Sequence, residues 1–184
     1  MPIERLKDQL PDFARDLKLN LSNLIESSSL TKQQLWGSAL TSAIVSRNAR
    51  VARLIADEAE THLTAAAFRA AEAAAAMISM NNIYYRFIHT GDGRYAKLPS
   101  KLRMSVLKNL GVEEADFHLF AIAASAINGC VRCMERHEGA AVKEGVPTDT
   151  VLDVVRVASV IHGIAVTLEA QQAEPEAAET IGVP

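Results

Sequence analysis

The run Asn128-Gly129-Cys130-Val131-Arg132-Cys133-Met134-Glu135-Arg136-His137 reads as a break between two helices, and the rest of the chain is arranged around it. Gly129 interrupts an apolar helix that rises from about Phe117, and Cys130 then falls at or near the first turn of a new helix. Cys133 lies one turn further on. Unpaired N–H groups and the positive end of the helix dipole gather there, and both favour a thiolate over a thiol. His137 is four residues after Cys133, so the two share a helix face and the imidazole is in reach of the thiol proton. The spacing of Cys130 and Cys133 suits closure of a disulfide at a helix start. The stretch reads as a thiol redox site.

The 184 residues suffice for one well-packed domain. Apolar residues make up 49% and aromatics only 5%, with alanine abundant, which points to close-packed helices rather than a β-sandwich. A net charge of -3 without a basic stripe argues against a nucleic-acid partner. The apolar run from Ala65 to Met80 contains Arg69 and Glu72 and is too short to span a membrane, so no membrane association is expected. The N-terminus is charged from Glu4 onward, unlike a secretory signal, and the expected location is the cytoplasm. In that reducing compartment a CxxC pair is catalytic or metal-binding more often than structural.

In chain order, residues 3–10 and 12–25 read as two short amphipathic helices separated by Pro11, the second with Phe13, Leu17, Leu19, Leu21 and Leu24 as its apolar face. Thr31-Lys32-Gln33-Gln34 has the pattern of a capping box, opening a helix over about 32–46. Further helices are expected over 49–62 and, capped by Thr64, from there to about His89. Thr90-Gly91-Asp92-Gly93-Arg94 is the clearest break. Pro99-Ser100 is expected to open a short helix ending near Gly111, followed by helices over 116–127 and 130–144. Gly145-Val146-Pro147 stops the chain again, and Thr148 is the expected N-cap of a last helix over 149–171. No stretch alternates as a strand does. The chain is all-α, a single helical domain over 1–172 with a flexible C-terminal tail over 173–184.

Shifting the sequence by 84 residues sets Leu35-Trp36 on Leu119-Phe120, Ala39 on Ala123 and Thr64 on Thr148. It suggests a duplicated helical unit, with pseudo-repeats about 31–89 and 115–171, each a helix, a second helix and a long third. Under that shift Ser46 falls opposite Cys130 and Ala49 opposite Cys133, so only the second half carries chemistry.

The two cysteines have three readings: a dithiol/disulfide couple, two small buried hydrophobes, or a zinc site of the C-x2-C-x3-H type. Zinc needs a fourth ligand from His118 or His162, and no second cluster is visible, so no metal is expected. In the redox reading Cys133, with His137 near, attacks a peroxide O–O bond and becomes a sulfenic acid that Cys130 resolves to a disulfide, Cys130 also donating a proton. Cys130, nearer the helix start, is expected to be the more accessible sulfur and the one an external dithiol attacks. His118 either passes protons to His137 or is a surface histidine. Arg132 either lowers the thiol pKa electrostatically or is simply solvated. Glu135 and Glu138 read as the wet face of the helix, and His162 as a hydrogen-bonded core residue. Asn81-Asn82 with Tyr84-Tyr85 reads as core packing rather than as a pocket lining.

Ser125-Ala126-Ile127-Asn128-Gly129-Cys130, then Cys133 and His137-Glu138, resemble the active-site segment of the alkylhydroperoxidase D family. Leu10-Pro11-Asp12-Phe13-Ala14, Gln34-Leu35-Trp36-Gly37, Met80-Asn81-Asn82 and Gly93-Arg94-Tyr95 are similar to that family too, and the likeness spans roughly residues 1–170. The resemblance implies the all-helical fold of the carboxymuconolactone decarboxylase superfamily, built from a repeated unit, and a homotrimer. It implies an antioxidant hydroperoxidase that reduces organic hydroperoxides and regenerates the peroxiredoxin AhpC, with no bound cofactor. Electrons would come from dihydrolipoamide on a lipoyl-bearing acyltransferase, and ultimately from dihydrolipoamide dehydrogenase. By position, Cys133 is implied as the sulfenic-acid-forming thiol, Cys130 as its partner and proton donor, and His137 as the relay base. The runner-up is a disulfide-reductase adaptor with little peroxidase activity.

Two positions depart from the family pattern. His118 stands where the family usually has a glutamate, and Arg132 where it usually has a histidine. A carboxylate would hold His137 in its proton-accepting tautomer in a way that a histidine does not.

Overall fold

A computed structural model of the chain describes residues 1–90 and 92–172; the expected tail over 173–184 lies outside them. Among the described residues eight α-helices carry the fold: α1 (Pro2–Asp8), α2 (Arg15–Ser27), α3 (Lys32–Val45), α4 (Ala49–Ala59), α5 (Ala65–Ile88), α6 (Glu114–Ile127), α7 (Val131–Lys143) and α8 (Thr148–Gln172). Among the described residues there is no strand. The all-α expectation holds.

The helix starts follow from local chemistry. Thr31 accepts from the Gln34 N–H at 3.2 Å while Gln34 Oε1 accepts from the Thr31 N–H at 3.1 Å, completing the capping box. Thr64 accepts from the Ala67 N–H at 3.1 Å, and Asn48 does the same for α4 from Val51 at 3.0 Å. Thr148 differs from expectation. It is the first helical residue rather than the cap, and the Asp149 carboxylate accepts from the Thr150 N–H at 2.9 Å.

α3 and α6 are buried nearly all round, as befits helices with little amphipathic contrast. They pack against each other and both against α5 and α8. Alanine makes this closeness possible: Ala67, Ala70, Ala71, Ala74 and Ala75 of α5 are fully buried. At Gly37 of α3 a side chain has no room, since a Cβ there would overlap the Phe120 ring of α6. Gly37→Ala is expected to destabilise the fold by about 1–3 kcal/mol, the cost of overpacking a closed core. Urea unfolding would register it as a lower midpoint at unchanged slope.

α8 has the length and hydropathy of a bilayer span. Its apolar residues, among them Val154, Val157, Ile161, Ile164 and Leu168, are instead packed in the core, and that burial accounts for its hydrophobicity.

Two expectations on apolar faces fail for reasons of phase. Leu17, Leu21 and Leu24 turn inward at helical spacing, whereas Leu19 lies on the other side of α2 and is 48% exposed. Phe13 sits in the 3-10 turn before α2 and is 81% exposed. The expected helix over 100–111 does not form either. Among its described residues that connection has only two short 3-10 turns, Arg94–Lys97 and Ser105–Leu107. Its Leu98, Leu102 and Val106 are exposed, so no packed apolar face stabilises a helix there.

Candidate active site

The elbow between α6 and α7 is a Schellman motif built on Gly129. Gly129 adopts φ +67°, its N–H donates to Ala126 O at 3.2 Å, and the Cys130 N–H donates to Ser125 O at 3.0 Å. An L side chain is strained at that φ, which is why glycine stands there. Cys130 becomes the N-cap of α7, and Cys133 sits in its first turn. The two sulfurs are joined in a disulfide, with Cα atoms 5.3 Å apart.

A partly buried amide network fastens this elbow to α5. Asn82 Nδ2 donates to Ser125 Oγ at 3.0 Å. Asn128 Nδ2 donates to Asn82 Oδ1 at 3.1 Å and to Ser79 Oγ at 3.2 Å. Arg86 donates to the Asn128 carbonyl at 2.9 Å. The carbonyl left free at the end of α6 is thereby satisfied.

A cavity of about 230 Å³ opens beside the disulfide, between α5, the 94–107 connection and α7. Ile78, Leu107 and Phe117 form apolar wall, and Cys133 and His137 border it together. Asn81 and Asn82 are buried, as the core-packing reading expects, but they also line this cavity together with Tyr85, while Tyr84 does not. Cys130 was expected to be the more accessible sulfur, but it is fully buried, and Cys133 is the one that borders the cavity. The physical reason is the left-handed turn at Gly129, which carries the capping residue beneath the elbow.

His118 and His137 meet across the α6–α7 packing, Nδ1 to Nδ1 at 3.1 Å. One ring must donate and the other accept, so the pair holds this bond with both rings neutral or with one of them charged, but not with both protonated. In the arrangement with His137 donating, His137 Nε2 keeps a free lone pair, and His118 supplies the acceptor that a carboxylate would otherwise supply. Burial pushes the His137 pKa down to about 4, with the neighbouring His118 and Arg136 adding to the effect. Burial also lowers His118, against the opposing pull of Glu114 and Glu144. Phe117 sits edge-on to the His137 ring, 6.2 Å between centroids.

Arg132 is exposed, as is Arg136 four residues on, and both line the cavity. Nothing in the CxxC pattern marked Arg136; its signal was the helical spacing from Arg132. Met104 was missed likewise, and its Sδ accepts from Asn81 Nδ2 at 2.9 Å at the cavity wall. Glu135 and Glu138 face solvent as expected. His162 does not match its expectation as a core residue: it is exposed on α8 and bonded through Nδ1 to Ser46 Oγ at 3.2 Å. Among the described residues no three His, Cys, Asp or Glu side chains converge as they would to hold a metal ion.

A sequence model of the carboxymuconolactone decarboxylase family matches residues 94–173. The chain is 48% identical over 174 residues to the alkyl hydroperoxide reductase AhpD of Rhodospirillum centenum, covering 94% of each. It is 50% identical over 169 residues to the protein of the same name from Gluconacetobacter diazotrophicus, covering 92% of this chain and 93% of the relative. To that of Azorhizobium caulinodans it is 49% identical over 181 residues, covering 97% and 100%.

Proposed function

Since the chain belongs to the AhpD family, within the carboxymuconolactone decarboxylase superfamily, we propose that it is a dithiol hydroperoxidase working through Cys130 and Cys133. The observation that carries this reading is the disulfide at an apolar cavity that Cys133 shares with His137.

The cycle balances on the residues present. His137 Nε2 takes the Cys133 proton, and the thiolate attacks the outer oxygen of the hydroperoxide. The O–O bond breaks, Cys133 becomes a sulfenic acid, and the departing alkoxide takes the Cys130 proton to leave as an alcohol. The Cys130 thiolate then attacks the sulfenic sulfur. Hydroxide leaves, collects the proton held by His137, and departs as water, and the disulfide is formed. Dihydrolipoamide returns two electrons and two protons through a mixed disulfide. A dithiol arriving through the cavity meets Cys133 first, since Cys130 is buried.

In the cell this reading gives a cytoplasmic antioxidant. Its partners would be the peroxiredoxin AhpC, a lipoyl-bearing acyltransferase and dihydrolipoamide dehydrogenase. A homotrimer is part of the proposal; Ile83, Phe87, Leu98 and Val106 leave apolar surface exposed, as an assembling protein would. So is a duplicated unit. It is supported by two runs of short, short and long helix, and by Arg47 and Gly129, which both take positive φ just before α4 and α7. On that footing Asn48, rather than Ser46, stands opposite Cys130.

A second reading is favoured by one observation. His137 is a weak base when its pKa lies near 4, and a disulfide-reductase adaptor feeding AhpC would tolerate that better than a peroxidase would. Steady-state oxidation of dihydrolipoamide by cumene hydroperoxide, with and without AhpC, separates the two. Turnover without AhpC is expected; turnover only in its presence would establish the adaptor and defeat the peroxidase.

A further inference from the structure

We infer that the cavity beside Cys133 is built for an organic hydroperoxide that carries a carboxylate, which Arg132 and Arg136 recognise at the rim; the inference rests on the hydroperoxidase reading above. The two guanidinium groups lie one turn apart on α7 and both border the cavity. Like charges at that spacing repel, so the helix gains from an anion placed between them. Among the described residues no aspartate or glutamate lines the cavity to fill that role. The nearest competitor is Glu135, whose carboxylate stands 3.8 Å from Arg132, with both side chains largely in solvent. Such an exposed contact is easily displaced.

Behind this basic rim Ile78, Leu107 and Phe117 form apolar wall beside the neutral amides of Asn81 and Asn82 and the rings of Tyr85 and His89. The cavity's roughly 230 Å³ lies below the roughly 300–1,000 Å³ of pockets that take drug-sized ligands. A compact hydrocarbon body therefore fills it, with the O–O bond at Cys133 and a polar end at the rim. Among polar ends a carboxylate matches the planar fork of arginine. The protein as a whole carries a net charge of -3, so it does not attract anions in general. The positive rim is a local feature of this cavity, and it raises the anion concentration there.

The test uses a matched pair of substrates, 4-(2-hydroperoxypropan-2-yl)benzoate and its methyl ester, which share the reacting centre and differ in charge. With dihydrolipoamide as reductant at fixed ionic strength, the acid is expected to exceed the ester in kcat/KM by about tenfold, chiefly through KM. In the Arg132→Met/Arg136→Met double variant that ratio is expected to fall to about one. Arg132→Lys/Arg136→Lys, which keeps charge and loses the fork, should give an intermediate ratio. Both side chains are exposed on α7, so these variants preserve the core. Equal kcat/KM for acid and ester in the native protein, or a preference that survives the double Met variant, overturns the inference while the hydroperoxidase reading stands. Failure to turn over either substrate overturns both.

Discussion

Cys133→Ser is expected to reduce peroxide turnover to background, because Cys133 is the sulfur that borders the cavity. A serine hydroxyl in its place has neither the acidity nor the nucleophilicity of a thiol. Cys130→Ser should behave differently. Cys133 would still attack once and stop at the sulfenic acid, having lost the sulfur that resolves it and the thiol that protonates the alkoxide. Intact-mass measurement after one equivalent of hydroperoxide distinguishes the two variants. An added oxygen atom is expected on Cys130→Ser and none on Cys133→Ser. The opposite pattern would exchange the roles of the two cysteines. The fold should tolerate both changes, since the elbow is held by Gly129 and the Asn82–Asn128 network rather than by the sulfurs alone.

The second large effect concerns the base. His137→Ala is expected to lower peroxide turnover by about 10²–10⁴-fold, the usual contribution of a positioned general base. The native pair has a particular weakness. His137, at about 4, lies well below the pH at which it must work, and a base is most effective when its pKa is near the operating pH. His118→Glu replaces a neutral acceptor with a carboxylate facing His137 Nδ1. That charge stabilises the imidazolium and raises the pKa of His137. Faster turnover at neutral pH is therefore expected, with the acid limb of the rate profile moved to higher pH. An unchanged rate and profile would mean that the proton travels by another route. The same depression links to stability with a definite sign. Between the ordinary histidine value and about 4 the unfolded chain binds the proton that buried His137 refuses, so stability falls as pH drops through that window.

Local chemistry made much of this protein legible. The capping box at Thr31 and the threonine cap at Thr64 set helix starts through hydrogen bonds spanning three residues. The glycines at 129 and 145 end helices because their backbone must turn left-handed there. The spacing of Cys130, Cys133 and His137 is likewise a property of one helix. Where neighbouring residues supplied too little information, the reading went wrong. The 100–111 segment has helix-compatible residues, but its inward contacts at Met104, Leu107 and Leu110 do not form one continuous apolar face while Leu102 and Val106 are exposed, and it stays irregular.

By itself the sequence determined the helical class, most helix boundaries and the placing of Cys130, Cys133 and His137 along the start of one helix, since each depends on contacts within about one helical turn. Only the tertiary structure decided that His118 meets His137, that Cys130 is buried while Cys133 borders the cavity, and that Asn82 and Arg136 help to form the site. Those facts depend on how α5, α6 and α7 are rotated against one another. That rotation is set by the summed packing of small side chains across all three helices, which no short stretch of chain encodes.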